Sequence, residues 1–282
     1  MLLLNASGCL DALTAPDTVA QLDAFVTKTV TPDPREGNPP VRIAETDHGM
    51  LNAIGLANPG REAFLAETLP VLRTLGRPIW VSVGGFDARG YAETCERLEG
   101  VTIELNLSCP NVDEAPESAA EIVAACRAAT DLPIYAKLSP AAWDIGESAR
   151  AVEAAGADGL SLVNTMRGLA LDRALRPVLS RGTGGYSGPA LRPIALAAVF
   201  ACRRVTELPI VGMGGVQTGG DALELLACGA THVALGTALF ADPNAPERVR
   251  GEIVDELARR GFDDLADAVG LAHEDVAKSS NA

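Results

Sequence analysis

Eight short runs rich in Val, Ile and Leu, each followed by a segment with amphipathic spacing, set the architecture of this chain before any single residue is weighed. The strand candidates are 2–5, 25–30, 79–83, 101–106, 134–138, 159–163, 210–213 and 233–236; helices are expected near 17–24, 61–75, 87–98, 117–129, 144–155, 189–205, 219–228 and 243–260. Nearly continuous apolar strands separated by helices are strands buried on both faces, and eight such pairs close a barrel. The expected fold is therefore α/β, a (β/α)8 TIM barrel. Barrels of about 250 residues fold as one unit, so the 282 residues are read as a single domain, with 271–282 as a flexible tail.

The helix-to-strand joints repeat one device: Arg77-Pro78, Leu132-Pro133 and Leu208-Pro209 end a helix and launch an apolar strand. Two connections are long, 31–59 and 166–188. Both follow strands, at the end of the barrel where sites are built, so they are expected to form lids or binding walls.

A formal charge of −14 repels phosphate backbones and anionic bilayers, which argues against nucleic acid and membrane surfaces as partners. The longest uncharged stretch, 225–241, is broken by Gly229, Thr231, His232 and Gly236 and is no membrane span. No basic residue precedes Lys28, so the charged start of a secretory signal is missing and a cytoplasmic protein is expected. The six cysteines form no C-x-x-C pair and no cluster suited to zinc or iron-sulfur, so no metal site is expected and any such cluster belongs to a partner.

Lysine is rationed. The sequence has three lysines against twenty arginines, and the two outside the C-terminal tail, Lys28 and Lys137, both lie near strand ends. A compact ammonium there suits a phosphate, a flavin ring or a substrate carboxylate; the plainer reading is a lysine snorkelling from a strand end. Asparagine is concentrated too: Asn5, Asn52, Asn106, Asn111 and Asn164 lie at strand ends or in the first long loop. Asn forms strands poorly, and an amide pairs with a ring bearing alternating N–H and C=O groups, although Asn also favours turns. Gly214-Gly215 follows the seventh strand and Gly236-Thr237 the eighth, the two loops that commonly hold phosphate in barrels. The helix starting near Gly219 is expected to add its positive end, and the run 182–188 to approach the same group. No G-x-G-x-x-G with a later acidic partner follows a strand, so a flavin mononucleotide fits better than a dinucleotide.

Among the cysteines, Cys95, Cys126, Cys202 and Cys228 fall on helices, where a thiol is usually a small core hydrophobe, and Cys9 has no cation nearby in sequence. Cys109, just past the fourth strand, is the candidate base: a neighbouring ammonium would favour its thiolate, although most loop cysteines are inert.

The segments NASG (5–8), REGNPPVRIAET (35–46), GMLNAIGLANPG (49–60), ELNLSCPN (104–111), AKLSP (136–140), NTMRG (164–168), GTGGYSGPALRPIAL (182–196) and GMGGVQTG (212–219) resemble class 1 dihydroorotate dehydrogenase. These motifs are long and in order. The resemblance implies FMN-dependent oxidation of dihydroorotate to orotate in pyrimidine synthesis, with Cys109 removing the C5 proton while a hydride leaves C6 for flavin N5. It implies that Lys28, Asn52, Gly55, Leu56, Asn106, Asn111, Asn164 and Thr165 surround the substrate. It further implies that Ala6, Ser7, Gly8, Lys28, Asn106, Lys137, Gly188, Gly214, Gly215, Gly236 and Thr237 hold the flavin. The stretch after Val112 is shorter than the loop that closes over the substrate in this family.

GMLNAIGLANPG, NTMRG and GTGGYSGPA look like the NAD-linked class 1B, whose barrel subunit pairs with an iron-sulfur FAD protein; REGNP and VTK also occur in the fumarate-linked class 1A. A homodimer core is implied by the class 1 resemblance. Two alternatives stay open: a barrel oxidoreductase for another pyrimidine-like substrate, and a non-catalytic paralogue.

Overall fold

The computed structural model describes residues 1–107 and 118–274. Cys109 and Asn111, and the shortened stretch after Val112, lie outside the described residues.

In chain order the elements are β1 (Leu3–Asn5), α1 (Pro16–Ala20), β2 (Phe25–Val26), β3 (Ile43–Thr46), β4 (Gly49–Asn52) and α2 (Arg61–Ala63). A π-helical turn, Phe64–Thr68, leads into α3 (Leu69–Arg73), then β5 (Ile79–Val83), α4 (Ala88–Glu96), β6 (Thr102–Asn106), α5 (Ala119–Ala129), β7 (Ile134–Lys137) and α6 (Ile145–Ala154). The remainder is β8 (Gly159–Leu162), β9 (Met166–Leu169), β10 (Thr183–Ser187), α7 (Arg192–Arg203), β11 (Ile210–Met213), α8 (Gly219–Ala227), β12 (His232–Leu235), α9 (Ala238–Ala241) and α10 (Ala245–Arg260).

Eight strands form one parallel sheet in the order β1-β12-β11-β8-β7-β6-β5-β2. Read around the ring, every neighbour is the next barrel strand in sequence, and the parallel bridge Leu4–Ala24 brings the two edges together. The (β/α)8 expectation holds. Asn5 secures this seam: its amide Nδ2 donates to the Val26 carbonyl at 2.7 Å and its Oδ1 accepts from the Val26 N–H at 2.8 Å. It thereby supplies the pair of bonds that a longer β2 would have made.

The second strand is shorter than its apolar run suggests. Instead of 25–30, only Phe25–Val26 joins the ladder, with a bridge at Val30. Thr27 explains the break, because its hydroxyl accepts the Ser82 N–H at 3.1 Å and donates to the Lys28 carbonyl at 3.0 Å, replacing main-chain pairing.

Alternation along the strands divides the apolar residues into two bodies. One large cluster lies between sheet and helices. A second, Leu4, Ala24, Val26, Trp80, Tyr135, Val211, Met213 and Ala234, comes from the intervening positions of six segments around the ring and so fills the pore.

The two long connections are walls of regular structure. Their strands make an antiparallel sheet, β3-β4-β10-β9, with its own small core of Ala44, Leu51, Ala53 and Leu179. Sequence reasoning placed these segments at the correct end but did not foresee that loops more than a hundred residues apart pair with each other. At the other end of the chain, 271–274 is docked rather than loose: the His273 ring stacks on Phe200 at 4.2 Å and its Nε2 lies 3.0 Å from the Cys228 carbonyl. The boundary expected at 271 is therefore not seen in 271–274, and 275–282 lie outside the described residues.

Candidate functional site

A cavity opens at the carboxyl ends of the barrel strands, with the pore as its floor and the antiparallel sheet as one wall. Ala6, Ser7 and Gly8 after β1, Lys28 after β2, Asn106 at the end of β6 and Lys137 at the end of β7 all line it. Asn164 and Thr165 after β8, Gly188 after β10, Gly214 and Gly215 after β11, and Gly236 and Thr237 after β12 complete the ring, and Asn52 and Leu56 face it from the long loop. Gly55 is not among the residues lining it: its φ is +76° and a Cβ there would lie 2.7 Å from Asn38, so the glycine serves the turn that leads to Leu56. Leu56 itself has φ +57°, a left-handed conformation that a branched side chain rarely adopts and that marks a backbone held by its surroundings.

The polar end is a chain of oriented amides and hydroxyls. Asn106 Nδ2 donates to Thr29 Oγ1 at 3.1 Å, and its Oδ1 accepts from Asn164 Nδ2 at 3.0 Å. The Asn164 Oδ1 in turn accepts the Thr165 N–H at 2.8 Å, while the Tyr91 hydroxyl, 2.7 Å from the Asn106 carbonyl, fixes the end of β6 from outside. Thr29 also meets Ser82 at 3.0 Å and Ser7 at 3.3 Å. Each amide therefore presents one defined edge to the cavity. Asn52 is held over it by donation to the Gly185 carbonyl at 3.3 Å, across the β4–β10 pair. Asn5, grouped with these residues in the sequence, is not part of this set because its amide is occupied at the barrel seam.

Lys137 reaches the cavity floor with its side chain only 7% exposed, and its Nζ lies 3.4 Å from Glu104 Oε1, itself 1% exposed. Beside them on β8, in register with Lys137, the buried Ser161 hydroxyl has no hydrogen-bond partner among the described residues. Glu104 and Ser161 were missed by sequence reasoning. The period-two alternation of Thr102-Ile103-Glu104-Leu105-Asn106 was the available signal: it places Glu104 on the same face as Asn106, inside the pore.

Cys9 was also undervalued. The fold brings it into the electrostatic reach of Lys137 and Lys28; burial pushes its thiol up, and the two ammonium groups pull it back. It stands between the site cavity and a second, apolar cavity of about 610 Å³ walled by Leu10, Phe25, Phe64, Leu72 and Leu239.

At the opposite end, the φ values of Gly214 and Gly215 are +121° and +77°, and a Cβ on Gly215 would lie 2.8 to 3.0 Å from Arg192 and the Gly188 carbonyl. The turn can only be glycine there, and it aims main-chain groups at the cavity. The helix expected to add its positive end does not. Most N–H groups at the start of α8 are already taken: Asp221 accepts those of Gln217 and Thr218 just before it, each at 2.9 Å, Glu252 accepts that of Gly219 at 2.7 Å, and Thr218 accepts that of Asp221 at 3.2 Å. Carboxylates of the chain itself close that helix end, so an anion would meet the loop amides around Gly215, Gly236 and Thr237.

One end of the cavity thus offers an ammonium and oriented amides, the other a glycine turn without acidic lining, and beside Lys137 lies a buried hydroxyl with no partner among the described residues. That donor set fits a flat ring with alternating polar groups joined to a phosphate.

Residues 2–257 match the family model described as dihydroorotate dehydrogenase. The chain belongs to the dihydroorotate dehydrogenase family. It is 48% identical over 258 residues to the dihydroorotate dehydrogenase B (NAD(+)) catalytic subunit of Latilactobacillus sakei, covering 86% of this chain and 84% of that protein. It is 44% identical over 262 residues to the subunit of the same name from Trichlorobacter lovleyi, covering 89% and 86%. Among solved structures, the dihydroorotate dehydrogenase of Eimeria tenella, crystallised with ferulenol, superimposes with a TM-score of 0.82 over 96% of this chain and 85% of that one; at 23% identity this likeness speaks for the fold. Among the described residues no helix is long and apolar enough to cross a membrane.

Proposed function

We propose that this chain oxidises dihydroorotate to orotate in pyrimidine biosynthesis, with FMN as its cofactor, and that it is the catalytic subunit of an NAD-linked enzyme. The observation that carries the reading is the convergence of Lys28, Lys137, Asn52, Asn106 and Asn164 with the Gly214, Gly215, Gly236 and Thr237 loops on one cavity, in a chain of this family.

Bound FMN supplies the two-electron acceptor that takes the hydride leaving C6 of the substrate. Lys137, Lys28 and Asn106 hold its polar ring edge, Ala6, Ser7 and Gly8 flank the ring, and Gly188, Gly214, Gly215, Gly236 and Thr237 hold the phosphate side. Asn52, Asn106, Asn111 and Asn164 read the N–H and C=O edge of the substrate ring; Lys28 balances its carboxylate, Leu56 and Thr165 shape the pocket, and Gly55 acts only through the turn that carries Leu56. Cys109 accepts the C5 proton. That role rests on the motif ELNLSCPN, which leads out of β6 directly beyond Asn106. The whole chain works as one barrel unit in the cytoplasm, as a homodimer core. Its electrons pass to a partner subunit: the names of the relatives at 44–48% identity, which specify NAD(+) and a catalytic subunit, support a partner, and the class 1B resemblance supplies its FAD and iron-sulfur cluster.

The test is anaerobic. Purified protein should be yellow, bleach on addition of dihydroorotate and shift its flavin spectrum on titration with orotate. A yellow protein indifferent to both ligands points to a different pyrimidine-like substrate, and a protein that takes up no FMN refutes the cofactor assignment. Cys109→Ala should retain flavin and reduce it about 100-fold or more slowly, the usual loss for a general base. Near-normal reduction by this variant would remove Cys109 from the base role.

A further inference from the structure

Glu104 is a carboxylate inside a barrel pore, and nothing in the packing of the fold calls for one. It sits in the middle of β6 between Ile103 and Leu105, both fully buried, and is itself 1% exposed. Desolvating a carboxylate to this depth costs several kcal/mol, and an apolar pair of the same volume is often at least as stable as a buried ion pair. Barrel interiors are ordinarily filled by branched aliphatics, as this one is around Leu4, Val26 and Val211. The partner of Glu104 is Lys137, at 3.4 Å. Lys137 lines the site cavity and Glu104 does not, so the pair lies along the pore with its positive end toward the site.

We propose that Glu104 is a positioning residue that anchors the Lys137 ammonium against the flavin ring and, through its own charge, sets how readily the bound flavin is reduced. The inference rests on the flavin reading above and extends it to a residue that does not reach the cavity. Reduction adds negative charge to the ring. In a poorly screened pore an ammonium favours that charge and a carboxylate just behind it opposes it, so the pair moderates what Lys137 alone would do. Among the described residues, Cys9 and Lys28 lie within electrostatic reach of the pair and Tyr135 stands in register with Glu104 on β7; all three stay unchanged in the comparison below.

The experiment is a charge cycle read by the midpoint potential of FMN bound to the full-length protein, measured by equilibration with redox dyes, with flavin content recorded for each variant. Glu104→Gln should move the equilibrium toward reduced flavin by tenfold or more, about 30 mV for a two-electron couple. Lys137→Met should move it in the opposite direction and loosen flavin retention. The double variant, in which no charge is left unpaired, should lie between Lys137→Met and Glu104→Gln, because removing the carboxylate offsets part of the loss of the nearer ammonium. A flavin-replete Glu104→Gln protein at the wild-type potential overturns the proposal, even if the variant is less stable, since a purely structural carboxylate shifts stability and not potential. Should Glu104→Gln fail to fold, Lys137→Met and the double variant decide: recovery of potential in the double variant supports the coupling, and equal potentials overturn it. A wild-type protein that takes up no FMN overturns the parent reading and this inference with it, whereas an unchanged potential in a flavin-bound variant overturns the inference alone.

Discussion

Asn5 closes the barrel with a side chain. Besides a bond to the Ala6 carbonyl, two of its bonds go to main-chain groups of Val26 that have no water to turn to, and a buried donor or acceptor left without a partner costs about 1–3 kcal/mol. Asn5→Ala is therefore expected to lose roughly 2 kcal/mol or more of stability, measured by urea unfolding, while orotate affinity in the folded fraction stays near wild type. Loss of binding without loss of stability would return Asn5 to the site. His232 makes a second prediction at this scale. Its Nδ1 accepts the Leu2 N–H at 3.2 Å, and burial holds its proton affinity below the ordinary value of 6.5. The unfolded chain therefore binds the proton more readily than the folded one, so the contribution is complete above 6.5 and is lost as pH falls below it toward the folded value. His232→Asn should flatten the fall in urea midpoint between pH 7.5 and pH 5.5; an unchanged slope would remove His232 from that dependence.

At the scale of elements, the contact between α8 and α10 depends on the absence of a side chain. A Cβ on Gly219 would lie 2.4 Å from the main chain of Glu252 and Ile253, and backbone cannot rotate away as a side-chain tip can. Gly219→Ala should cost about 1–3 kcal/mol in thermal or urea unfolding, the range for overpacking, with a smaller loss meaning that α10 slides freely. Most elements could be read from the sequence because local signals and tertiary context agreed: β5 and β11 match their apolar runs residue for residue. Where they disagreed, a single side chain decided. Thr27 cut β2 short with its hydroxyl, and Asp221 with Glu252 turned α8 away from any anion. The site was legible through residue rationing, which singled out Lys28 and Lys137, and through the family resemblance that gathered the motifs. Glu104 and Cys9 escaped because their meaning lies in neighbours supplied by other strands. The β3-β4-β10-β9 sheet escaped because its pairing is between distant loops, which no local window reports.

At the scale of the whole molecule, the proposed division of labour gives a direct expectation. The chain alone should take electrons from dihydroorotate and hand them to artificial dyes, yet reduce NAD+ at a measurable rate only with its electron-transfer partner added. Rapid NAD+ reduction by the isolated chain, or efficient turnover with fumarate, would place it outside the two-subunit scheme. Construction of the site follows two sets of rules. Its floor is parallel barrel, where each strand is locked by neighbours on both sides; its outer wall is an antiparallel sheet with a core of its own. A substitution in that wall can therefore reshape the cavity's mouth while the floor, braced by its own ladder, keeps its geometry.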